Sequence, residues 1–322
     1  MSNENGIERR KIVVAGLDNA GKTTILALIR KKMVDSSLIK PTRGISRAEA
    51  EILGKNVAIH DFGGQKVYRD SYFKDKRFLA ATDAFIFVID LQDIERYDLA
   101  LEYFDRALGE FAKHGISPMV FIFYHKYDHH YQEKYQEEDE RIIRTFENLT
   151  NKIEATCKRN GMALSGTFTT SVYNEWSCFS SFHEVWVSLY SQFGSVQEYL
   201  SELCGKIPEA RMILLLDKDA NLIAKKISGT STGISLEKLQ AISGSSIILM
   251  NEWTKSGIYD QEEPIANATM KIKESTVMVQ KVPAGEDVYY LVILTESGNY
   301  EPFKQTIVSI SNFLGAFLAK LK

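Results

Sequence analysis

The stretch Gly16-Leu17-Asp18-Asn19-Ala20-Gly21-Lys22-Thr23 decides the fold of this chain. It has the pattern G-x-x-x-x-G-K-T and lies between an apolar β-type run, Lys11 to Ala15, and a helical pattern that begins at Thr24. In that context the glycines let the backbone wrap a phosphate chain with its N–H groups pointing inward, and the helix adds its positive N-terminal end. The lysine can reach the β- and γ-phosphates, and the threonine hydroxyl can bind Mg²⁺. The stretch therefore predicts a phosphate-binding loop.

Strands and helices alternate along the chain after this loop. A β-hairpin is predicted over residues 48–59, and apolar strands are predicted at Ala84 to Asp90, Val120 to Tyr124 and Thr167 to Val172. Helical segments follow these strands at residues 94–113, 131–157 and 179–190. Such alternation predicts an α/β fold with a mostly parallel six-stranded sheet, covered on both faces, that binds ligands at the carboxyl ends of its strands.

A second group of residues follows the predicted hairpin, in the stretch His60-Asp61-Phe62-Gly63-Gly64-Gln65. Asp61 lies at the tip of an apolar strand, where an acid can orient Mg²⁺, and the glycines let the backbone approach a γ-phosphate. Gln65 can position an attacking water molecule. Since every motif lies at the carboxyl end of a strand, the motifs are expected to form one site.

Length and composition limit the number of domains and the class of protein. A chain of 322 residues exceeds the about 100 to 200 residues of a typical domain, which favours two domains. Hydrophobic residues make up 44% of the chain and charged residues 25%, as in ordinary globular proteins. The net charge of −3 argues against a general nucleic-acid binder. Cys157, Cys178 and Cys204 form no C-x-x-C pair and are expected to be free thiols in a reducing compartment.

The sequence is expected to belong to a cytoplasmic protein without a direct lipid anchor. Met1 to Arg10 contain no apolar segment, residue 2 is Ser2 rather than glycine, and no run approaches the about 18 apolar residues of a membrane helix. Recruitment to a membrane would therefore depend on a partner.

The motifs resemble those of the Arf and Rag families of small GTPases. Residues 16–24 and Pro41-Thr42 resemble the phosphate loop and first switch of Arf proteins, and Asp61-Phe62-Gly63-Gly64-Gln65 is similar to both families. The Rag (Gtr) branch is indicated by Tyr72-Phe73, by His125-Lys126-Tyr127-Asp128 in place of Asn-Lys-x-Asp, and by Thr170-Ser171-Val172. The chain thus resembles a Rag/Arf-related GTPase, and an archaeal relative that combines features of both branches is an equally plausible interpretation.

This resemblance implies binding of GTP or GDP with Mg²⁺. The expected nucleotide-binding residues are Gly16, Leu17, Asp18, Asn19, Ala20, Gly21, Lys22, Thr23, Thr24, Gly64, His125, Lys126, Asp128, Ser171 and Val172. Thr23, Thr42 and Asp61 would hold Mg²⁺, and Gln65, Lys22 and Thr42 would support hydrolysis. Asp128 would accept hydrogen bonds from guanine N1–H and N2–H₂, which adenine does not offer at those positions.

No arginine of the chain can be named from the sequence as an arginine finger. We therefore expect slow intrinsic hydrolysis that an activating protein accelerates in trans. Asp18 is expected close to the place where a partner's arginine would approach the γ-phosphate.

Residues 193–322 are predicted to form a smaller α+β domain after the GTPase domain of residues 1–192. The predicted order α-β-β-α-β-β-β-α resembles the roadblock/longin-like module of Rag proteins, which implies a homodimer or heterodimer formed through this domain. A structural extension without a role of its own is the alternative. Pairing edge to edge would cover an exposed sheet edge.

Together these features predict a GTP-hydrolysing molecular switch that binds effector proteins in its GTP form. The alternative is a scaffold that keeps its nucleotide bound with negligible turnover, against which the complete set of Lys22, Thr23, Thr42, Asp61 and Gln65 argues. An ATPase is disfavoured by Asp128.

Overall fold

The computed structural model describes residues 10–33, 45–52, 55–63, 76–129, 131, 140–207, 209–218, 220, 222–228, 234, 236–255, 266–296 and 303–320. Contacts divide the chain into two compact units, with the division between Leu189 and Tyr190.

A six-stranded sheet forms the centre of the first unit. Its strands are β1 (Arg10–Gly16), β2 (Ile45–Ile52), β3 (Lys55–Phe62), β4 (Ala84–Asp90), β5 (Met119–His125) and β6 (Leu164–Thr170). Their order is β2-β3-β1-β4-β5-β6. The strands from β3 to β6 in this order run parallel, whereas β2 pairs antiparallel with β3. The α/β class predicted from the alternating pattern is confirmed.

Helices connect these strands. They are α1 (Lys22–Met33), α2 (Lys76–Leu79), α3 (Tyr97–Lys113), α4 (Glu140–Arg159) and α5 (Glu175–Leu189), with a short 3₁₀ turn at Ile94–Arg96 before α3. The continuous helix predicted over residues 94–113 is therefore split into a turn and a helix.

The first core lies between β4 and α3. Phe85 of β4 packs edge-on against Phe111 of α3 at a centroid distance of 5.1 Å, and Phe87 lies 5.0 Å from Phe104. All four rings are almost fully buried. Burial of each such ring stabilises the fold by about 2 to 3 kcal/mol, so this packing fixes the position of the end of β4.

Strand β6 ends earlier than the sequence indicated. The predicted end at Val172 is wrong, because Ser171 and the residues after it form a turn. Ser171 pairs with Asn174 in an isolated bridge, and its hydroxyl accepts a hydrogen bond from the N–H of Tyr173. Serine and asparagine favour such local hydrogen bonds over a continued strand.

The second unit contains an antiparallel sheet. Its elements are α6 (Ser191–Lys206), β7 (Ala210–Leu216), β8 (Leu222–Ile227), α7 (Leu236–Lys255), β9 (Asn267–Ile272), β10 (Ser275–Ala284), β11 (Asp287–Thr295) and α8 (Lys304–Lys320). The strand order is β8-β7-β11-β10-β9, so β8 and β9 form the two edges. The element order agrees with the pattern predicted from the sequence.

Close packing of α8 on β10 depends on a glycine. A Cβ atom at Gly315 would collide with the carbonyl oxygen of Pro283. On the same helix Ile307, Leu314 and Leu318 are buried, which makes α8 part of the second core.

No helix within the described ranges is long and apolar enough to cross a membrane.

Candidate functional site

The loop after β1 passes close to β4. Gly16 has a φ of 150°, and a Cβ atom there would collide with the carbonyl oxygen of Val88. Asn19 and Gly21 also adopt positive φ values, 61° and 87°. This backbone turns tightly into α1, whose early N–H groups have no partner within the helix and can bind an anion.

Lys22 and Thr23 lie at the end of this loop, where they begin α1. The Lys22 ammonium donates hydrogen bonds to the carbonyl oxygens of Gly16 at 2.9 Å and Leu17 at 2.7 Å, and its side chain is buried. A positive charge is thereby held against the loop. The next residue, Thr24, is exposed on α1.

A hydroxyl and a carboxylate meet beside the lysine. Thr23 Oγ1 donates to Asp61 Oδ2 at 3.0 Å. The contact forms because β3 pairs with β1 and brings Asp61 level with Val14. Both groups are hard oxygen donors of the type that Mg²⁺ prefers, so these two residues fit a magnesium site.

A third cluster follows β5, at residues 125–128. Asp128 Oδ1 accepts a hydrogen bond from the Ser171 hydroxyl at 2.5 Å, and Oδ2 accepts one from the Gln92 amide at 2.9 Å. Lys126, with a φ of 62°, forms an ion pair with Asp90 Oδ2 at 2.6 Å. The carboxylate and the lysine are therefore held by neighbours from the ends of two strands, β4 and β6.

His125 connects this cluster to the loop after β1. It is the last residue of β5 and is 1% exposed, and its Nδ1 lies 2.9 Å from Thr170 Oγ1. A Cβ atom at Gly21 would collide with the imidazole ring, so the ring lies directly against the loop. Burial lowers the pKa of His125 to about 4. A neutral imidazole thus occupies the position of the asparagine in the usual motif.

Sequence reasoning did not assign Asp90, Gln92 or Arg96 to the site, and it named Thr170 only as part of the motif Thr170-Ser171-Val172. Arg96 NH2 lies 2.5 Å from Asp18 Oδ1, and Gln92 also donates to the carbonyl oxygen of Lys126 at 2.9 Å. Asp90 and Gln92 could have been found, since they lie at the carboxyl end of a parallel strand. Arg96 offered no such signal, because it lies beyond that end in the 3₁₀ turn.

The described residues of the site come from several strand ends. They lie at the carboxyl ends of β1, β3, β5 and β6, on the same side of the sheet. These residues are the loop residues 16–23, Asp61, His125, Lys126, Asp128 and Ser171. Val172 lies in the turn after β6 and is partly exposed. Thr42, Gly64 and Gln65 lie outside the described residues.

Comparison with known families gives a match over most of the chain. The model of the Gtr1/RagA G protein conserved region matches residues 11–245. That range includes the loop after β1, Asp61 and the cluster at residues 125–128.

Individual relatives match a shorter part. The chain is 37% identical over 111 residues to ADP-ribosylation factor-like protein 3 of Chlamydomonas reinhardtii, covering 34% of this chain and 60% of that protein. It is 39% identical over 111 residues to ADP-ribosylation factor-like protein 2 of Dictyostelium discoideum, covering 34% and 58%. The chain thus spans somewhat more than half the length of these curated relatives.

Among solved structures, the Arl6 BBS3 small GTPase of Trypanosoma brucei with a bound nucleotide analogue aligns at a TM-score of 0.41 and 18% identity, covering 56% of this chain and 98% of that one. Since the family match extends over far more than half of the sequence, the chain belongs to the Gtr1/RagA G-protein family.

Proposed function

We propose that this protein is a GTP-binding and GTP-hydrolysing molecular switch. The observation that carries the proposal is that three groups converge at the carboxyl ends of the parallel strands. They are the loop around Lys22, the pair Thr23 and Asp61, and the cluster around Asp128. These groups match the phosphate, magnesium and base of a nucleoside triphosphate.

Guanine selectivity follows from Asp128. Its carboxylate is held by Ser171 and Gln92, and guanine N1–H and N2–H₂ would donate to its remaining lone pairs. Adenine would leave the carboxylate without these donors, at a cost of about 1 to 3 kcal/mol. Lys126, fixed by Asp90, would lay its aliphatic stem along the base.

Hydrolysis would use residues of both the loop and the strand ends. Thr23 and Asp61, with Thr42, would hold Mg²⁺, which offsets the charge of the phosphates. Lys22 would neutralise the β- and γ-phosphates, and Gln65 would orient the attacking water molecule. Because the sequence motifs name no arginine finger, we expect the intrinsic rate to be slow and an activating protein to act in trans.

Effector binding would depend on the segments that contain Thr42 and Gly64. In GTPase switches the γ-phosphate and Mg²⁺ order such segments, and hydrolysis releases them. We place this activity in residues 1–192 and propose a cytoplasmic location, with recruitment to a membrane by a partner.

Residues 193–322 are proposed to be a roadblock/longin-like domain that forms a homodimer or heterodimer. Two features support dimerisation. Strand β9 is an edge of the sheet, and α7 exposes Ile248, Leu249 and Trp253 by 64%, 51% and 48%. A partner domain that added to this edge and covered this helix would bury the three side chains.

Single-turnover GTP hydrolysis by the wild type and by Gln65→Leu tests the switch. We expect slow, Mg²⁺-dependent hydrolysis by the wild type and a further loss of at least about tenfold in the variant with GTP binding retained. Tight GTP binding without turnover in either protein would favour the scaffold. Preference for adenine nucleotides would contradict the assignment of Asp128.

A further inference from the structure

We propose that Arg96 is a positioning residue that neutralises Asp18 and thereby keeps the phosphate loop able to accept a nucleoside triphosphate. The proposal rests on the proposed function, because it concerns the affinity of that same site. It adds an arginine from the 3₁₀ turn after β4, which none of the nucleotide-binding motifs identified above contains.

The guanidinium of Arg96 contacts two residues, Asp18 and Asp93. Arg96 NH2 lies 2.5 Å from Asp18 Oδ1, and NH1 lies 3.4 Å from both the Asp18 carbonyl oxygen and Asp93 Oδ2. The hydrogen bond and charge of Asp18 raise the pKa of Arg96 further above its ordinary value. Since Asp93 fixes the arginine from the side of its own turn, the guanidinium is already aimed at the loop.

Asp18 creates the need for such a charge. It is the second residue after Gly16 within the loop, and its side chain is half exposed. A carboxylate in a loop that receives phosphates repels each negative charge that the ligand brings. A guanidinium in direct contact with the carboxylate cancels most of this repulsion. GTP carries more charge than GDP, so the benefit should be larger for GTP.

The contact also fixes the shape of the loop. Arg96 binds both the side chain and the main-chain carbonyl of Asp18, next to Asn19 with its positive φ of 61°. Removing the arginine would therefore loosen the loop and would also leave the negative charge of Asp18 without a partner from the 3₁₀ turn. Both effects reduce affinity before any chemical step, whereas an arginine that stabilised the transition state would act on the hydrolysis rate.

The test is a double-mutant cycle in the full chain. Dissociation constants for fluorescent GDP and for a fluorescent non-hydrolysable GTP analogue are measured for the wild type, Arg96→Gln, Asp18→Asn and the double variant. We expect Arg96→Gln to weaken binding of the GTP analogue about fivefold and of GDP about twofold. Asp18→Asn should tighten binding of the GTP analogue. In the Asp18→Asn background, Arg96→Gln should change the affinity for the analogue by about twofold at most.

Two further variants separate the contact from general charge and folding. Arg96→Lys keeps the charge and should retain more affinity than Arg96→Gln. Arg144→Gln removes one positive charge from the surface of α4, where Arg144 pairs with Glu140, and should bind like the wild type. The midpoint of thermal unfolding of each variant reports whether the chain remains folded. The loss in Arg96→Gln should shrink as salt is added, because part of it is electrostatic.

The outcomes are distinguishable. An equal loss for Arg96→Gln in both backgrounds, or unchanged affinity in Arg96→Gln, would overturn the positioning role and leave the proposed function intact. If the wild type bound neither guanine nucleotide, the proposed function would fail and this inference would fail with it. Coupling between the two positions in a folded protein would establish the role.

Discussion

At the scale of single residues, burial of His125 makes the stability of the first unit depend on pH. The pKa of this imidazole is lowered from 6.5 to about 4, chiefly by desolvation. Between these values the unfolded chain takes up a proton that the folded chain does not, so stability falls as the pH falls through this window. From pH 7 to pH 5 the expected loss is about 2 kcal/mol.

Urea denaturation of the wild type and of His125→Asn at pH 7 and pH 5 measures this loss. The asparagine does not titrate, so the variant should lose about 2 kcal/mol less than the wild type over the same interval. Equal losses in the two proteins would show that other groups account for the dependence.

Thr23 gives a second prediction at this scale. Its hydroxyl lies 3.0 Å from Asp61 Oδ2, in a position to share a magnesium ion with that carboxylate. Thr23→Asn should weaken binding of Mg²⁺-GTP more than binding of GDP, by about tenfold or more, because it would remove a ligand of the Mg²⁺ that would offset the charge of the triphosphate. Titration of both nucleotides with and without Mg²⁺ checks this. Equal weakening of both would argue against a role for Thr23 as a metal ligand.

At the scale of elements, the close approach of β1 and β4 depends on Gly16. A Cβ atom there would meet the backbone oxygen of Val88, which cannot move without shifting the strand. Gly16→Ala should therefore destabilise the first unit by about 3 kcal/mol. Gly161 also has a positive φ, 67°, but open space around it, so Gly161→Ala should cost only about 1 kcal/mol.

Thermal unfolding of both variants makes the comparison. A similar loss of stability in the two would mean that backbone conformation, and not the contact with β4, restricts position 16.

Elements whose signals are local were predicted well from the sequence. The strand Ala84–Asp90 has the bounds expected from its apolar run, because a buried parallel strand requires such a run on both faces. The end of β6 was wrong, since the Thr-rich run continues into Ser171 while the hydrogen bonds of that serine form a turn. The boundary depends on a local competition that composition does not reveal.

Contacts within the site were predicted only where a motif specified them. The phosphate loop fixes the spacing of its own residues, so Lys22 and Thr23 could be placed in advance. The pairing of Arg96 with Asp18 joins residues 78 positions apart, and the pairing of Gln92 with Asp128 joins residues 36 apart. Such contacts arise from strand order, which brings β1, β4 and β5 side by side.

At the scale of the whole molecule, the two units differ in the surfaces that they expose. In the first unit, the charged and polar site residues lie at the carboxyl ends of the parallel strands. The second has an edge strand, β9, and an apolar face on α7 formed by Ile248, Leu249 and Trp253. An added strand and helix from a second chain would cover both surfaces.

The double variant Ile248→Lys with Leu249→Lys tests this surface. Lysine is a good helix former, so α7 should remain intact while the charges prevent burial of the face. Light scattering after size-exclusion chromatography should show a wild-type dimer and a monomeric variant, with the dissociation constant of the dimer raised by at least about a hundredfold.

Phe313→Lys provides the matched control, since Phe313 is 69% exposed on α8 of the same unit. It should leave the dimer intact, and all three proteins should bind guanine nucleotides equally, because none of the changes lies in the first unit. A dimer that persisted in the double variant, or that dissociated equally in Phe313→Lys, would place the interface elsewhere. A wild type that remained monomeric at high concentration would exclude the homodimer and favour a different roadblock-type chain as the partner.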